Sequence, residues 1–165
     1  MKFRRPQLMA LVAISSCLLL PGCGGVNSVS DFYERYIVGT SRTIVNALDD
    51  TLRLDIDSGT FSKVVTLLFA DVLSIPVATL LLISGADFKM EDPTVSIVKD
   101  ILFTLDYNEL TLPEGVNEGD LALYRIENDT AVKIENAVID IENNKISADI
   151  STTGTYVIAK DDAIE

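Results

Sequence analysis

The chain of 165 residues contains no histidine and no tryptophan, only two cysteines, and 13 lysines and arginines against 25 acidic residues. Without imidazole, the commonest general base, the usual serine triad and histidine metal ligation all lack a required group. An enzyme is therefore not the expectation. A formal charge of −12, with no basic stripe, argues against nucleic acid as a partner. No glycine-rich phosphate loop, metal-spaced cysteine pair or nucleophile elbow occurs, so no catalytic residue, metal ligand or cofactor is assigned.

What the chain does contain, at its start, is an address. Lys2, Arg4 and Arg5 form a positive stretch, and Leu8 to Leu20 form an apolar core of 13 residues. At about 1.5 Å per residue that core is too short to cross a bilayer and reads as a secretory signal. Leu20-Pro21-Gly22-Cys23 follows, and it resembles the lipobox of bacterial lipoproteins. The resemblance implies cleavage between Gly22 and Cys23 and attachment of lipid to the Cys23 thiol, with membrane lipid as the first partner. An uncleaved anchor over 8–20 is the alternative. Residues 1–22 carry three basic residues and no acidic one, so their removal leaves about 143 residues and a charge near −15. The remaining thiol is then acylated and no disulfide forms. Gly24 and Gly25 follow Cys23 in place of an aspartate, which by the same resemblance implies the outer membrane.

Residues 24–30 are small and polar, as a flexible tether would be. Residues 31–38 are expected to be helical, with a break at Gly39-Thr40-Ser41. Residues 49–165 form the expected β-sandwich domain. Strands are expected at 51–56, 64–69, 101–107, 121–126, 137–141, 146–150 and 156–159, where β-branched residues and short alternating runs concentrate. Glu127-Asn128-Asp129 and Glu142-Asn143-Asn144-Lys145 place Asn and Asp where a hairpin needs positive φ. Many short strands joined by such turns point to an all-β, antiparallel sandwich.

The run from Val64 to Ile83 permits a different reading. Its 13 Val, Leu, Ile and Phe residues outweigh one mid-span aspartate on an insertion scale, so a spanning helix over 64–83 is the alternative. Ser74-Ile75-Pro76 splits the run into two strand-length pieces and no basic cluster flanks it, which favours buried strands.

From Val98 to Lys160 the chain offers Asp106-Tyr107, then Leu112-Pro113-Glu114-Gly115-Val116, Asp120, Leu121-Ala122-Leu123-Tyr124-Arg125, an Asn-rich hairpin and Thr155-Tyr156-Val157. In order and spacing this resembles the C-terminal half of the β-sandwich module named after zonula occludens proteins and uncoordinated netrin receptors. Asp57-Ser58-Gly59-Thr60-Phe61, followed by Val64 to Leu67, resembles an upstream turn and strand of the same module. Some members cut themselves at a His-Phe-Ser sequence before the last strand. Here the aligned positions are Thr152, Thr153 and Gly154, which carry neither the histidine nor the serine, so an intact chain is expected.

Other groupings are structural in expectation. Asp49, Asp50, Asp55 and Asp57, and separately Glu114, Glu118 and Asp120, carry oxygens calcium would accept, yet lack the glycine-hinged loop of an EF-hand. Glu127, Asp129, Glu135, Asp140 and Glu142 read as a solvated outer face. Tyr107, Tyr124 and Tyr156 read as core or cross-strand residues. The functional expectation is a lipid-anchored cell-envelope module, non-catalytic and structural or protein-binding. An envelope protein is the expected partner, and binding of a small ligand or calcium is the alternative.

Overall fold

Period-two burial shapes the strands. Leu52-Arg53-Leu54-Asp55-Ile56 buries its first, third and fifth side chains, and Ile101, Phe103 and Leu105 repeat the pattern. A strand sends alternate side chains to opposite faces, so each apolar set lies on one side of a sheet. The computed structural model describes residues 28–29, 33–107 and 112–161. Among them are twelve strands and no α-helix: β1 (Ser28–Val29), β2 (Glu34–Val38), β3 (Thr43–Ala47), β4 (Leu52–Ile56), β5 (Val65–Ser74), β6 (Leu80–Met90), β7 (Ile101–Asp106), β8 (Leu121–Glu127), β9 (Thr130–Lys133), β10 (Val138–Asp140), β11 (Lys145–Ile150) and β12 (Gly154–Asp161).

The molecule is an antiparallel β-sandwich. One sheet runs β1-β5-β6-β12-β8-β9, with β2 also paired to β5, and the other runs β10-β11-β7-β4-β3. Between them lies a core in which Leu54, Ile56, Leu67, Phe69, Phe88, Phe103, Ile146 and Tyr156 are almost wholly buried. The rings of Phe69 and Phe88 stack at 5.3 Å, and Phe103 meets Tyr156 at 4.9 Å. A second apolar cluster, of Val72, Tyr124, Ile126, Val157 and Ala159, lies on the outer face of the large sheet.

The turns follow their residue types. Asn128 and Asp129 both have positive φ, 48° and 62°, and connect β8 to β9 as a two-residue hairpin. Asn144 does the same service between β10 and β11. Gly115 (φ 82°) and Gly59 (φ 78°) each occupy the third position of a turn closed by a hydrogen bond, Val116 N–H to Pro113 O and Thr60 N–H to Asp57 O. Only glycine enters that region without a steric cost, so these two turns explain the Leu-Pro-Glu-Gly-Val and Asp-Ser-Gly-Thr sequences.

Two expectations require correction. The helix expected over 31–38 is not formed: Glu34–Val38 is β2, paired with β5 from Glu34↔Phe69 to Val38↔Val65, while 31 and 32 lie outside the described residues. On a helix Tyr36 and Val38 would point about 200° apart. On a strand both face the core, and Tyr36 meets Phe69 edge-on at 5.7 Å. Of the tether expected over 24–30, Ser28 and Val29 are instead paired with Ser74 and Val72, and the remainder lies outside the described residues. The alternative helix over 64–83 is replaced by β5, a turn at 75–79, and the first half of β6. No described helix is long and apolar enough to cross a membrane.

Candidate functional site

Chemistry-bearing side chains gather at one end of the sandwich, where β5 and β6 reach past the second sheet. On β5, Val65, Leu67 and Phe69 face the core, so Asp71 and Leu73 continue the same row beyond the point where the core covers it. Facing them is the β3–β4 connection, in which Leu48, Asp49 and Asp50 all adopt left-handed φ values of 52–66°. That backbone costs about 1–2 kcal/mol per residue and must be held in place. Glu34 provides one clamp, accepting hydrogen bonds from the Leu48 N–H at 3.0 Å and the Tyr36 hydroxyl at 2.9 Å. Thr51 provides another, donating from its N–H and its hydroxyl to the Leu48 carbonyl. Burial and the bond to Glu34 push the Tyr36 hydroxyl up to about 12.

The result is a cleft of about 390 Å³ lined by Asp49, Asp50, Asp71, Asp106, Leu73 and Ile83, among others. Desolvation, then the charges of Glu34 and Asp49, raise the Asp71 carboxyl above its ordinary value. Lys145 lies 3.4 Å from Asp106 on the adjoining surface. Among the described residues no three histidine, cysteine, aspartate or glutamate side chains converge as a metal-binding set. The cleft is therefore an acidic, open-sided surface rather than a preformed metal cage.

The sequence cluster Asp49, Asp50, Asp55 and Asp57 is split by the fold. Asp49 and Asp50 line the cleft, whereas Asp55 accepts three bonds from the Arg42 guanidinium and lies near Arg53, with Asp57 at 3.9 Å from Arg42. Asp120 accepts from the Asn117 amide in a 3-10 turn with Glu118; Glu114 belongs to the neighbouring glycine turn. Asp140 caps the β10–β11 turn through the Asn143 N–H and amide, which hold its carboxyl below the usual range. Glu127 pairs with Arg125, and Asp129 and Glu135 are exposed. Tyr107 and Tyr156 are core residues at 2% and 1% exposure, and Tyr124 belongs to the outer cluster. Burial raises both core hydroxyls. Thr152 accepts from Tyr156 through its carbonyl at 2.8 Å. Gly22 and Cys23 lie outside the described residues.

Sequence reasoning missed Glu34, Asp71 and Asp106 as neighbours of the Asp49–Asp50 pair. The one available signal was Asp71 itself, a lone charge inside a run of 20 otherwise uncharged residues. It also missed Asp87, a carboxylate only 2% exposed on the outer face of β6. Its oxygens accept from Thr155 at 2.8 Å, from Tyr33 at 2.9 Å and from Lys89 at 2.6 Å. The ammonium of Lys89 also bonds the Tyr33 oxygen and lies 5.0 Å from that ring. Burial pulls the Lys89 value down, but these partners outweigh it and hold the ammonium above its ordinary value. Paired and hydrogen-bonded through both oxygens, this acid ties Tyr33 to β6 and β12.

The pairings Ser28↔Ser74 and Val29↔Val72 are antiparallel, so Ser28, the first described residue, lies at the end of β5 beside the 75–79 turn. From Val72 to Ala86 the sequence carries no charge. Leu73 is 63% exposed, Ala78 and Thr79 are exposed, and Ile75, Pro76, Val77 and Leu80 to Ile83 are half-buried. Gly85 permits close packing on the outer face of β6. A Cβ there would meet Val157 Cγ1 at 2.8 Å, the Tyr156 carbonyl oxygen at 3.0 Å and Val72 Cβ at 3.0 Å. No protein-family model, curated protein or solved structure matches the chain.

Proposed function

We propose that this is a lipid-anchored β-sandwich of the bacterial cell envelope, held at a membrane by acyl chains on Cys23 and acting without catalysis as a structural or protein-binding module. The observation that carries this reading is the Leu20-Pro21-Gly22-Cys23 sequence behind a basic start and a 13-residue apolar core. The fold is compatible with it, since pairing with β5 begins at Ser28, five residues after Cys23. One acyl chain binds a membrane only marginally, so the several chains usual on such lipoproteins are part of the mechanism. Gly24 and Gly25 favour the outer membrane, and the similarity of residues 98–160 to the zonula occludens and netrin-receptor module favours an interaction role. Changing Cys23 to Ser is expected to abolish incorporation of labelled palmitate and release the protein from membranes. Label that persists in the variant would defeat the assignment.

The acidic cleft supports a second reading, in which a small cationic ligand or calcium is held between the β3–β4 connection and β5. Melting in millimolar calcium separates the two. A calcium-dependent rise in melting temperature would favour the cleft as the functional centre, and an unchanged value would remove calcium as its occupant.

A further inference from the structure

We propose that the tip of the β5–β6 hairpin, residues 73–82, is a second membrane contact that lies in the interfacial layer of the bilayer beside the acyl anchor. The inference rests on the lipid-anchor reading and adds an orientation to it. Three features of different kinds meet at this tip. Ser28, the first described residue after Cys23, lies here, because β1 runs antiparallel to β5 and Ser28 is opposite Ser74. Cys23 precedes Ser28 by five residue steps, so the covalent chain allows the acylated residue to stand no more than about 18 Å away. The tip therefore stays close to the lipid surface.

The second feature is composition. An acidic protein carries fifteen consecutive uncharged residues from Val72 to Ala86, and this tip exposes Leu73 together with parts of Ile75, Val77 and Leu80 to Ile83. Exposed apolar surface of this kind marks a contact with another phase or partner. The third feature limits depth. Asp49, Asp50, Asp71 and Asp106 line the cleft behind the tip, and carboxylates are costly to bring into hydrocarbon. The apolar rim enters the interface while the carboxylates remain in water. The same charges make a neutral surface the better one, so contact weakens as anionic lipid increases.

The native absence of tryptophan makes the test direct. Single tryptophans are placed in the full chain at Ala78, an exposed tip position, and at Val64, an exposed position at the far end of β5 about 30 Å away. Protein purified from its own membranes is reconstituted into phosphatidylcholine vesicles with and without bromine on the acyl chains. The expected result is at least threefold stronger quenching for Ala78→Trp than for Val64→Trp, diminished when phosphatidylglycerol replaces part of the lipid. Equal, weak quenching at both positions overturns the inference, as does an Ala78→Trp emission whose blue shift depends on protein concentration in lipid-free buffer, which would assign the tip to a second copy. Mass spectrometry of the Cys23 peptide in the same preparation reports acylation separately. An acylated protein with an unquenched tip overturns the contact alone, and an unacylated protein with a quenched tip overturns the anchor alone.

Discussion

Asp71 concentrates the electrostatics of the cleft in one carboxyl. Its folded-state value is raised by desolvation and by Glu34 and Asp49, so the fold favours the protonated acid. A raised acid contributes nothing adverse below its unfolded value near 4, and its penalty is complete once the pH exceeds the folded value. Asp71→Asn is therefore expected to raise the melting temperature at pH 7, with the difference from the parent vanishing near pH 3, as thermal melts across that range would record. An unchanged difference between the two pH values would place the effect outside electrostatics. The individual roles of Tyr107 and Tyr156 were legible beforehand, because large rings in short strands are usually core. The role of Glu34 was not. Its partner, the Leu48 N–H, is fourteen residues away, and no local pattern encodes a hydrogen bond that exists only after two strands on different sheets have packed.

Among the elements, the hairpin turns were the most legible, since the backbone demand and the residue types act at the same position. Asn128 and Asp129 meet the demand for two successive positive φ values between β8 and β9. Replacing Asp129 with valine, a β-branched residue that resists this conformation, is expected to lower stability by about 1–2 kcal/mol, measured as a shift in the urea midpoint at constant slope. β4, β7 and β11 were legible from alternation to within a residue or so. β2 was not, because its five residues read plausibly as a turn and a half of helix until the open edge of β5 supplies their hydrogen-bonding partners. β9 was missed for a related reason: Thr130–Lys133 is a four-residue edge with little apolar signal. Short edges of this kind, β10 with three residues and β1 with two, also limit pairing with neighbouring molecules. The acidic cleft escaped notice because it is assembled from the β3–β4 connection and three strands distant in sequence, β5, β6 and β7.

For the whole molecule, an intact polypeptide on a denaturing gel is expected, since Thr152-Thr153-Gly154 carries no nucleophile beside a histidine. The position of β12 gives a stronger test. It lies between β6 and β8 and pairs with both along most of its length, with a register shift at Ile158 to Ala159 on the β6 side. Ending the chain at Ser151 is expected to abolish the cooperative urea transition and expose the protein to trypsin throughout, whereas removing β9 alone would leave the sheet's middle joined. A ribosome or a secretion channel releases a polypeptide from its start, so the keystone of the large sheet is delivered after both of its neighbours. Until Gly154–Asp161 is free, the two flanks lack the strand that joins them, so closure of the large sheet is expected to be a late event in folding.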